Sequence, residues 1–382
     1  MQKSFKRFQW LSIFVLVLVM VLTLRLPAIA QTPRQYDEIT FPPLPEIKIP
    51  KYERYQLKNG MIIYLMEDHQ LPLISGSALI RTGSRLEPTE KVGLAELTGT
   101  VMRIGGTQYH TPSQVNELLD QNAAIVETSI GTSSGSASFN ALKEDIEPVF
   151  GLFAEILRYP IFDDKQLTLA KTQQKGEISR RNDDPGDIAS REFQKLIYGE
   201  SSPYARTIEF TTLDNISRDN IVDFYQTYVR PDEIILGVVG DFEPQQMKAL
   251  IEKTFADWKP SATPPGINIP TASQKYDRGV FFVNQPQLTQ SNILIGHLGG
   301  KLNNPDYPAL SVMNEVLNGF GGRLFNQLRS RQGLAYSVYG YWSANYDFPG
   351  MFLGGGKNSS ETTVTFVLSL LNKIKRIQTE LI

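Results

Sequence analysis

The chain has 382 residues, enough for two or three domains, and apolar residues make up 41% of it. Lysine and arginine number 38 against 40 acidic residues, and this net charge of −2 argues against nucleic acid as a partner, because phosphate binding favours a basic surface. There is no cysteine, which excludes disulfides, thiolate zinc sites and thiol nucleophiles. The three histidines, His69, His110 and His297, are too far apart in sequence to form a paired-histidine site on one helix, and we interpret them as ordinary loop or strand residues.

The N-terminus has the pattern of an export signal. A basic start, Lys3 to Arg7, precedes an apolar run from Trp10 to Leu24 and the small-residue sequence Ala28-Ile29-Ala30. The apolar run is short for a bilayer span of about 20 residues. We therefore expect residues 1–30 to be a cleaved signal peptide and the mature protein to be exported, periplasmic or extracellular, without a stable membrane span. The alternative is an uncleaved N-terminal anchor.

The next segments predict a first domain at residues 51–258. Residues 31–50 are rich in proline and favour an extended arm. Tyr55 to Met66 predicts a hairpin with Asn59-Gly60 as a type I′ turn. Leu94, Leu97, Val101 and Ile104 recur at helical spacing, which predicts a helix over 93–104 that ends at Gly105-Gly106. Other predicted elements are strand Ile74–Arg81, helix Pro112–Asn122, strands Ala124–Ser129 and Ser133–Asn140, helices Lys143–Leu157, Asp164–Asn182 and Asp219–Tyr228, strand Ile234–Gly240 and helix Gln245–Phe255.

A proline-rich stretch at 259–275 predicts a linker to a second domain at residues 276–382. The predicted elements there are strands Gly279–Val283 and Gln290–His297, helices Tyr307–Leu317 and Arg323–Arg331, strands near Ala335–Trp342 and Met351–Gly356, and a last helix from about Glu361 into the C-terminus. Strands and helices mix without a strict βαβ rhythm, so the sequence predicts an α+β fold. Because the last helical pattern has no cap, we expect the second domain to be truncated.

Residues 91–107 resemble the zinc-binding helix of the insulinase/pitrilysin family of metallopeptidases, which carries H-x-x-E-H. The matching positions read Glu96-Leu97-Thr98-Gly99-Thr100, so both histidines and the glutamate base are absent. The sequences Gly321-Gly-Arg-Leu-Phe-Asn-Gln-Leu-Arg329 and Gly333-Leu-Ala-Tyr-Ser-Val338 resemble the most specific motif of the family's second domain. The resemblance covers about residues 50 to 382. It implies two similar mixed α/β-sandwich domains that form half of a clamshell peptidase.

The resemblance also implies site residues. Glu177 matches the family's third zinc ligand, but one carboxylate with a possible contribution from Glu96 is a poor zinc site, because catalytic zinc needs three protein ligands and a water. We therefore expect no catalytic residue and no metal in this chain, and Glu96, Gly99, Thr100 and Glu177 to be degenerate motif positions. Arg329 and Tyr336 match the family's substrate-binding pair.

Three functions stay open from the sequence. The chain resembles the non-catalytic, processing-peptidase-like subunit of a heterodimer, which implies a zinc-bearing homologous partner, a peptide substrate and no enzyme activity of the chain alone. It could instead be an inert scaffold subunit of a larger assembly. A third reading is a protein that binds peptides without cutting them.

Overall fold

The computed structural model describes residues 42–43, 45–260, 269–276 and 278–379. The chain divides into two units, residues 1–49 and residues 50–382. Of the first unit, residues 42–43 and 45–49 are exposed and have no regular secondary structure. The predicted signal peptide and most of the predicted arm lie outside the described residues. Within the described part of the chain, we find no helix that combines the length and apolarity needed to span a bilayer.

The second unit begins with a six-stranded mixed sheet in the order β1-β2-β6-β3-β5-β4. Its strands are β1 (Glu53–Gln56), β2 (Ile62–Glu67), β3 (Leu73–Ile80), β4 (Ile125–Ile130), β5 (Gly135–Leu142) and β6 (Ile234–Gly240). β6 lies parallel to β2 and antiparallel to β3. Burial alternates along β5 and β6, so one face of the sheet faces the core.

The helices of this half carry apolar residues at helical spacing, and several of them cover the first sheet. They are α1 (Leu94–Ile104), α2 (Pro112–Gln121), α3 (Ile146–Arg158), α4 (Asp164–Arg180), α5 (Pro185–Tyr198), α6 (Phe210–Asp214), α7 (Arg218–Tyr228) and α8 (Pro244–Phe255). The core joins Leu97 and Val101 of α1 and Phe150 and Phe153 of α3 to the strands. The predicted elements of this half are confirmed within a few residues, whereas α5 and α6 were not predicted.

A second, three-stranded antiparallel sheet has the order β7-β11-β9. Its region contains β7 (Gln290–Leu298), β8 (Gly300–Lys301), α9 (Tyr307–Leu317), a π-helical segment (Phe325–Arg331), β9 (Ser337–Trp342), β10 (Ala344–Asn345), β11 (Met351–Ser359) and α10 (Thr363–Lys375). Helix α5 packs on β7, with the Phe193 ring close to Gly296. The architecture is the predicted α+β fold.

Three expectations about local structure are wrong, and a fourth, the helix at 323–331, is confirmed but has an unexpected helix type. Asn59 does not have the positive φ that a type I′ turn requires; the turn closes through the bond from Gly60 N–H to the Leu57 oxygen, and only Gly60 is left-handed, at φ 97°. Residues 279–283 form no strand. The second-domain helix near Arg329 is π-helical. The last helix ends at Lys375 and is followed by a 3-10 turn at Arg376–Gln378, whereas we expected it to run into the C-terminus.

A loop before β11 fastens the second sheet to the first half. Asp347 pairs with the buried guanidinium of Arg85 at 3.0 Å. The Phe348 ring stacks on Tyr204, with centroids 3.9 Å apart, and Tyr198 Oη donates to the Pro349 oxygen at 2.9 Å. These contacts join residues far apart in sequence, so the two halves are held by a desolvated ion pair and stacked rings. The exact limits of the two predicted domains, 51–258 and 276–382, stay a prediction.

Candidate functional site

The degenerate motif lies on α1, whose start is fixed by a carboxylate six residues before Gly93. Gly93 precedes the helix at φ 103°, a conformation that favours glycine. The buried Glu87 accepts hydrogen bonds from the N–H groups of Gly93 at 3.1 Å and Ala95 at 2.9 Å. Burial raises the pKa of Glu87 to about 7, and the two backbone bonds oppose that rise. Glu87 therefore caps α1 although it is not the N-cap residue itself, which is why the usual capping pattern did not reveal it.

Glu96, at the position of the family's first histidine, lies beside Glu177 of α4. Gln174 of α4 donates a hydrogen bond to the Glu96 carboxylate. Although part of the Glu96 side chain reaches solvent, desolvation by the surrounding protein raises the pKa of its carboxyl group. The negative charge of Glu177 raises this pKa further, and the Gln174 bond lowers it. The structure therefore brings the two carboxylates together, but as a pair of like charges.

Gly99, at the position of the family's glutamate base, is the point where α1 contacts β4. A Cβ atom there would touch the Ile130 nitrogen and lie 2.7 Å from the Ser129 carbonyl carbon. The Gly99 oxygen accepts a hydrogen bond from Thr128 Oγ1 at 2.6 Å. Because the neighbouring atoms are backbone atoms of a paired strand, they cannot rotate away as a flexible side chain can. The position therefore lacks a base and has no space for one.

The residues present do not fit a zinc ion. Thr100 is half-buried at the second histidine position, and Thr98 uses its Oγ1 to donate to the Leu94 oxygen at 2.7 Å. Among the residues described, no group of three or more histidine, cysteine, aspartate or glutamate side chains is placed to hold a metal ion. Glu96 and Glu177 supply carboxylate oxygens only, whereas catalytic zinc sites combine histidine or cysteine with an open water position. We derive no hydrolytic step through a metal in this chain.

Arg329 and Tyr336, the predicted substrate-binding pair, are in contact. The Arg329 guanidinium carbon lies 5.1 Å from the centroid of the Tyr336 ring and 4.8 Å from that of the Phe325 ring. The π-helical segment carries Phe325 and Arg329, and such segments are frequent at functional sites. Tyr336 N–H donates to the Lys357 oxygen of β11 at 2.9 Å, which anchors the tyrosine to the second sheet. Sequence reasoning missed Phe325, whose ring completes the arrangement.

The aromatic–arginine group is open to solvent. Tyr336 is 72% exposed, and the exposed Phe320 packs edge to face on Phe325 at 5.0 Å. A guanidinium that contacts an aromatic face can still use its in-plane N–H groups as donors to a carbonyl or carboxylate oxygen. A phenol hydroxyl nearby adds a second donor. The arrangement can bind a peptide backbone, but it contains no group that could activate water.

The histidines take part in other contacts. His69 pairs with Asp241, which also binds Lys143 Nζ at 2.8 Å, and the hydrogen bond to Asp241 raises the pKa of His69. His110 Nδ1 lies 2.7 Å from the Glu155 carboxylate. His297 Nδ1 lies 2.8 Å from the Leu298 oxygen. Each of the three histidines thus contacts a different acceptor, and no two of them share one.

Comparison with known proteins gives two family matches. Residues 66–207 match the model of the insulinase family (peptidase family M16), and residues 215–382 match the model of the peptidase M16 inactive domain. The chain is 26% identical to "Uncharacterized zinc protease YmxG" of Bacillus subtilis over 85% of its own length and 78% of that protein. It is 24% identical to "Non-peptidase homolog YmxG" of Helicobacter pylori over 81% of this chain and 70% of that protein.

A solved structure shares the fold. The crystal structure of the peptidase M16 inactive domain from Pseudomonas fluorescens superimposes with a TM-score of 0.76 and 23% identity, covering 85% of this chain and 79% of that one. At this identity the likeness describes the fold alone. The two family models together span both the helix with the degenerate motif and the Arg329–Tyr336 pair. The two family models together cover most of the chain, which therefore belongs to the insulinase family, peptidase family M16.

Proposed function

We propose that this chain is an exported, non-catalytic subunit of a two-chain peptidase, in which a homologous partner holds the zinc ion. Its own contribution is peptide binding through Arg329 and Tyr336. The observation that carries the proposal is the contrast between the two sites. The backbone of β4 occupies the space that a base at position 99 would need, whereas Arg329 lies against two aromatic rings, one of them the exposed Tyr336.

The contacts of Arg329 support the proposal that this pair binds substrate. An arginine that only closed a helix end would pair with a carboxylate or with the last carbonyl groups of its helix. Here the guanidinium rests on Phe325 and Tyr336 instead. Stacking on rings fixes the plane of the guanidinium, which lowers the entropy lost when it binds a carbonyl oxygen. In the proposed pair, these donors would steady a peptide near the zinc ion of the partner.

The test uses the mature chain mixed with a zinc-bearing homologue, and it measures peptide turnover and assembly separately. We expect Arg329→Ala and Tyr336→Phe to lower turnover by about tenfold or more, as loss of a donor to a developing charge does. Assembly, measured by size-exclusion chromatography with light scattering, should not change. Arg331→Ala, in the same π-helical segment, and Tyr341→Phe, another exposed tyrosine, are the matched controls.

The outcomes separate the alternatives. Turnover that is equal in wild type and in both variants would contradict the substrate role and favour an inert scaffold. Peptide binding by the isolated chain, without any effect on turnover of a partner, would favour a peptide-binding protein. A loss of turnover that the control variants share would show a general structural effect instead of a specific one.

A further inference from the structure

Two asparagine side chains of α9 are bonded to the backbone of β9. Asn314 Nδ2 donates to the Trp342 oxygen at 2.8 Å, and Asn314 Oδ1 accepts from the Trp342 N–H at 2.8 Å. Asn318 Nδ2 donates to the Gly340 oxygen at 2.7 Å, and Asn318 Oδ1 accepts from the Gly340 N–H at 3.0 Å. Each side-chain amide thus takes the place that a peptide group of a neighbouring strand would have, and it satisfies both backbone groups of one residue.

The spacing of the asparagines matches the spacing of the residues that they contact. Residues four apart on an α-helix are separated by about 6 Å along its axis, and residues two apart on a strand by about 6.7 Å. Asn314 and Asn318 can therefore bind Trp342 and Gly340 at the same time when α9 runs against the direction of β9. Gly340 has no side chain, and a Cβ atom there would lie 3.2 Å from the Leu324 side chain. The bare backbone at Gly340 lets the helical segments approach the strand closely.

These bonds join the two elements that lead to the Arg329–Tyr336 pair. Asn318 caps the C-terminal end of α9, and the turn after it leads into the π-helical segment that carries Arg329. Tyr336 directly precedes β9 and lies four residues before Gly340. The distance between the guanidinium and the phenol therefore depends on how α9 is set against β9.

Apolar packing alone does not fix this setting. Leu317, Leu324 and Leu328 are buried in the core that also contains part of β9, but apolar contact has no preferred direction. Hydrogen bonds have preferred angles, and each asparagine makes one donor and one acceptor bond to the same strand residue. Asn318 Nδ2 also donates to the Asn314 oxygen at 2.7 Å, which ties the two amides together. The bonds to β9 thus fix the register between the helix and the strand.

We propose that Asn314 and Asn318 are positioning residues for peptide binding by Arg329 and Tyr336. The inference rests on the proposed function of that pair and adds the residues that hold its geometry. The asparagines act through the pair, since the backbone of β9 occupies both of their amides. Loss of an amide lets β9 shift against the π-helical segment, and a displacement of about 1 Å in a substrate-positioning group can cost about a hundredfold in rate.

The first measurement is peptide turnover by the mature chain mixed with a zinc-bearing homologue. We expect Asn318→Ala to lower turnover by about tenfold without changing assembly. Asn318→Asp should also lower it, because a carboxylate cannot donate to the Gly340 oxygen. In a chain that already carries Arg329→Ala and Tyr336→Phe, Asn318→Ala should lower turnover by less than about twofold, because it has no pair left to position. Asn122→Ala is the matched control, since Asn122 also caps a helix end and donates to the oxygen four residues before it, at 2.7 Å.

The second measurement reads the geometry of the pair without peptide or partner. The Arg329 guanidinium lies against the Phe325 and Tyr336 rings, so ring currents shift its proton resonances upfield. In NMR spectra of the chain labelled at arginine, Asn318→Ala should move the Arg329 resonance toward the position of a free arginine. Asn122→Ala should leave this resonance unchanged.

The two readouts separate this proposal from the proposed function. A turnover loss from Asn318→Ala that persists in the Arg329→Ala, Tyr336→Phe background would overturn the positioning role. An Arg329 resonance that Asn318→Ala leaves in place would overturn it as well. If Arg329→Ala itself leaves turnover unchanged, the proposed function fails, and the resonance alone decides whether the asparagines position the pair. Asn318→Asp, which retains the acceptor bond, is measured in the same two ways if Asn318→Ala does not fold.

Discussion

Replacing Gly99 by alanine should destabilise the protein, although alanine is the better helix former. The added methyl would touch the Ile130 nitrogen and lie 2.7 Å from the Ser129 carbonyl carbon, so β4 or α1 must shift. Overpacking of this kind costs about 1 to 3 kcal/mol. The gain in helix propensity from glycine to alanine is about 1 kcal/mol. The net effect is a loss of about 0 to 2 kcal/mol, the difference between these two quantities.

Two other helical glycines provide matched controls. A Cβ atom at Gly151 of α3 or Gly176 of α4 would meet no atom within 4 Å. Gly151→Ala and Gly176→Ala should therefore stabilise the chain by about 0.5 to 1 kcal/mol. The gap between Gly99→Ala and these controls isolates the packing cost of about 1 to 3 kcal/mol.

The assay is urea unfolding followed by far-UV circular dichroism, with the midpoints compared at equal slopes. Gly99→Ala should unfold at lower urea than wild type, or at the same urea within error, and both controls at higher urea. A midpoint for Gly99→Ala as high as that of the controls would refute the close packing of α1 on β4. The same packing predicts that a glutamate at position 99, introduced together with two histidines, disrupts this contact and does not restore a peptidase.

Two further predictions concern buried charges. Asp347→Ala should lower the free energy of unfolding by about 3 to 5 kcal/mol, because it leaves the buried Arg85 without its carboxylate. Asp214→Ala, which removes the partner of the exposed Lys175, should cost far less in the same urea experiment. Equal losses of unfolding free energy in the two variants would contradict a stabilising role of the buried Arg85–Asp347 pair. The pKa of Glu87 is raised to about 7, above its ordinary value of 4.5, so the folded state binds a proton more tightly than the unfolded state does. The stability that this proton adds is fully present below about pH 4.5 and is lost as the pH rises through 7. Between pH 4.5 and 7.5, the free energy of unfolding from thermal denaturation should fall more for wild type than for Glu87→Gln, by at most about 3 kcal/mol. Equal pH dependence in the two proteins would refute the raised pKa of Glu87.

Local patterns predicted much of the fold. The three-and-four spacing of Leu94, Leu97 and Val101 placed α1, and the buried run Ile234–Gly240 placed β6 at its observed bounds. The strand predicted at residues 279–283 was wrong, because an apolar strand pattern forms a strand only where a neighbouring strand pairs with it. The pattern was visible in the sequence, but the partner was not.

The parts of the site that the sequence did not reveal depend on contacts between distant segments. The absence of the zinc motif was readable at residues 96–100, but the contact of Gly99 with β4 required the packing of a helix on a strand. The Arg85–Asp347 pair likewise joins residues far apart in the sequence, and the Glu87 cap comes from a residue six positions before Gly93, outside the usual capping positions. The pairing of Arg329 with Tyr336 was predicted from the family resemblance, whereas the π-helical geometry that adds Phe325 was not.

The most direct test of the proposed function is peptide cleavage by the mature chain, by a zinc-bearing homologue from the same organism, and by their mixture. The proposal predicts no cleavage by this chain alone and cleavage by the mixture above that of the homologue alone. Zinc-dependent cleavage by this chain alone would contradict the account of residues 96–100. Stable association without any gain in cleavage would contradict the substrate-binding role of Arg329 and Tyr336.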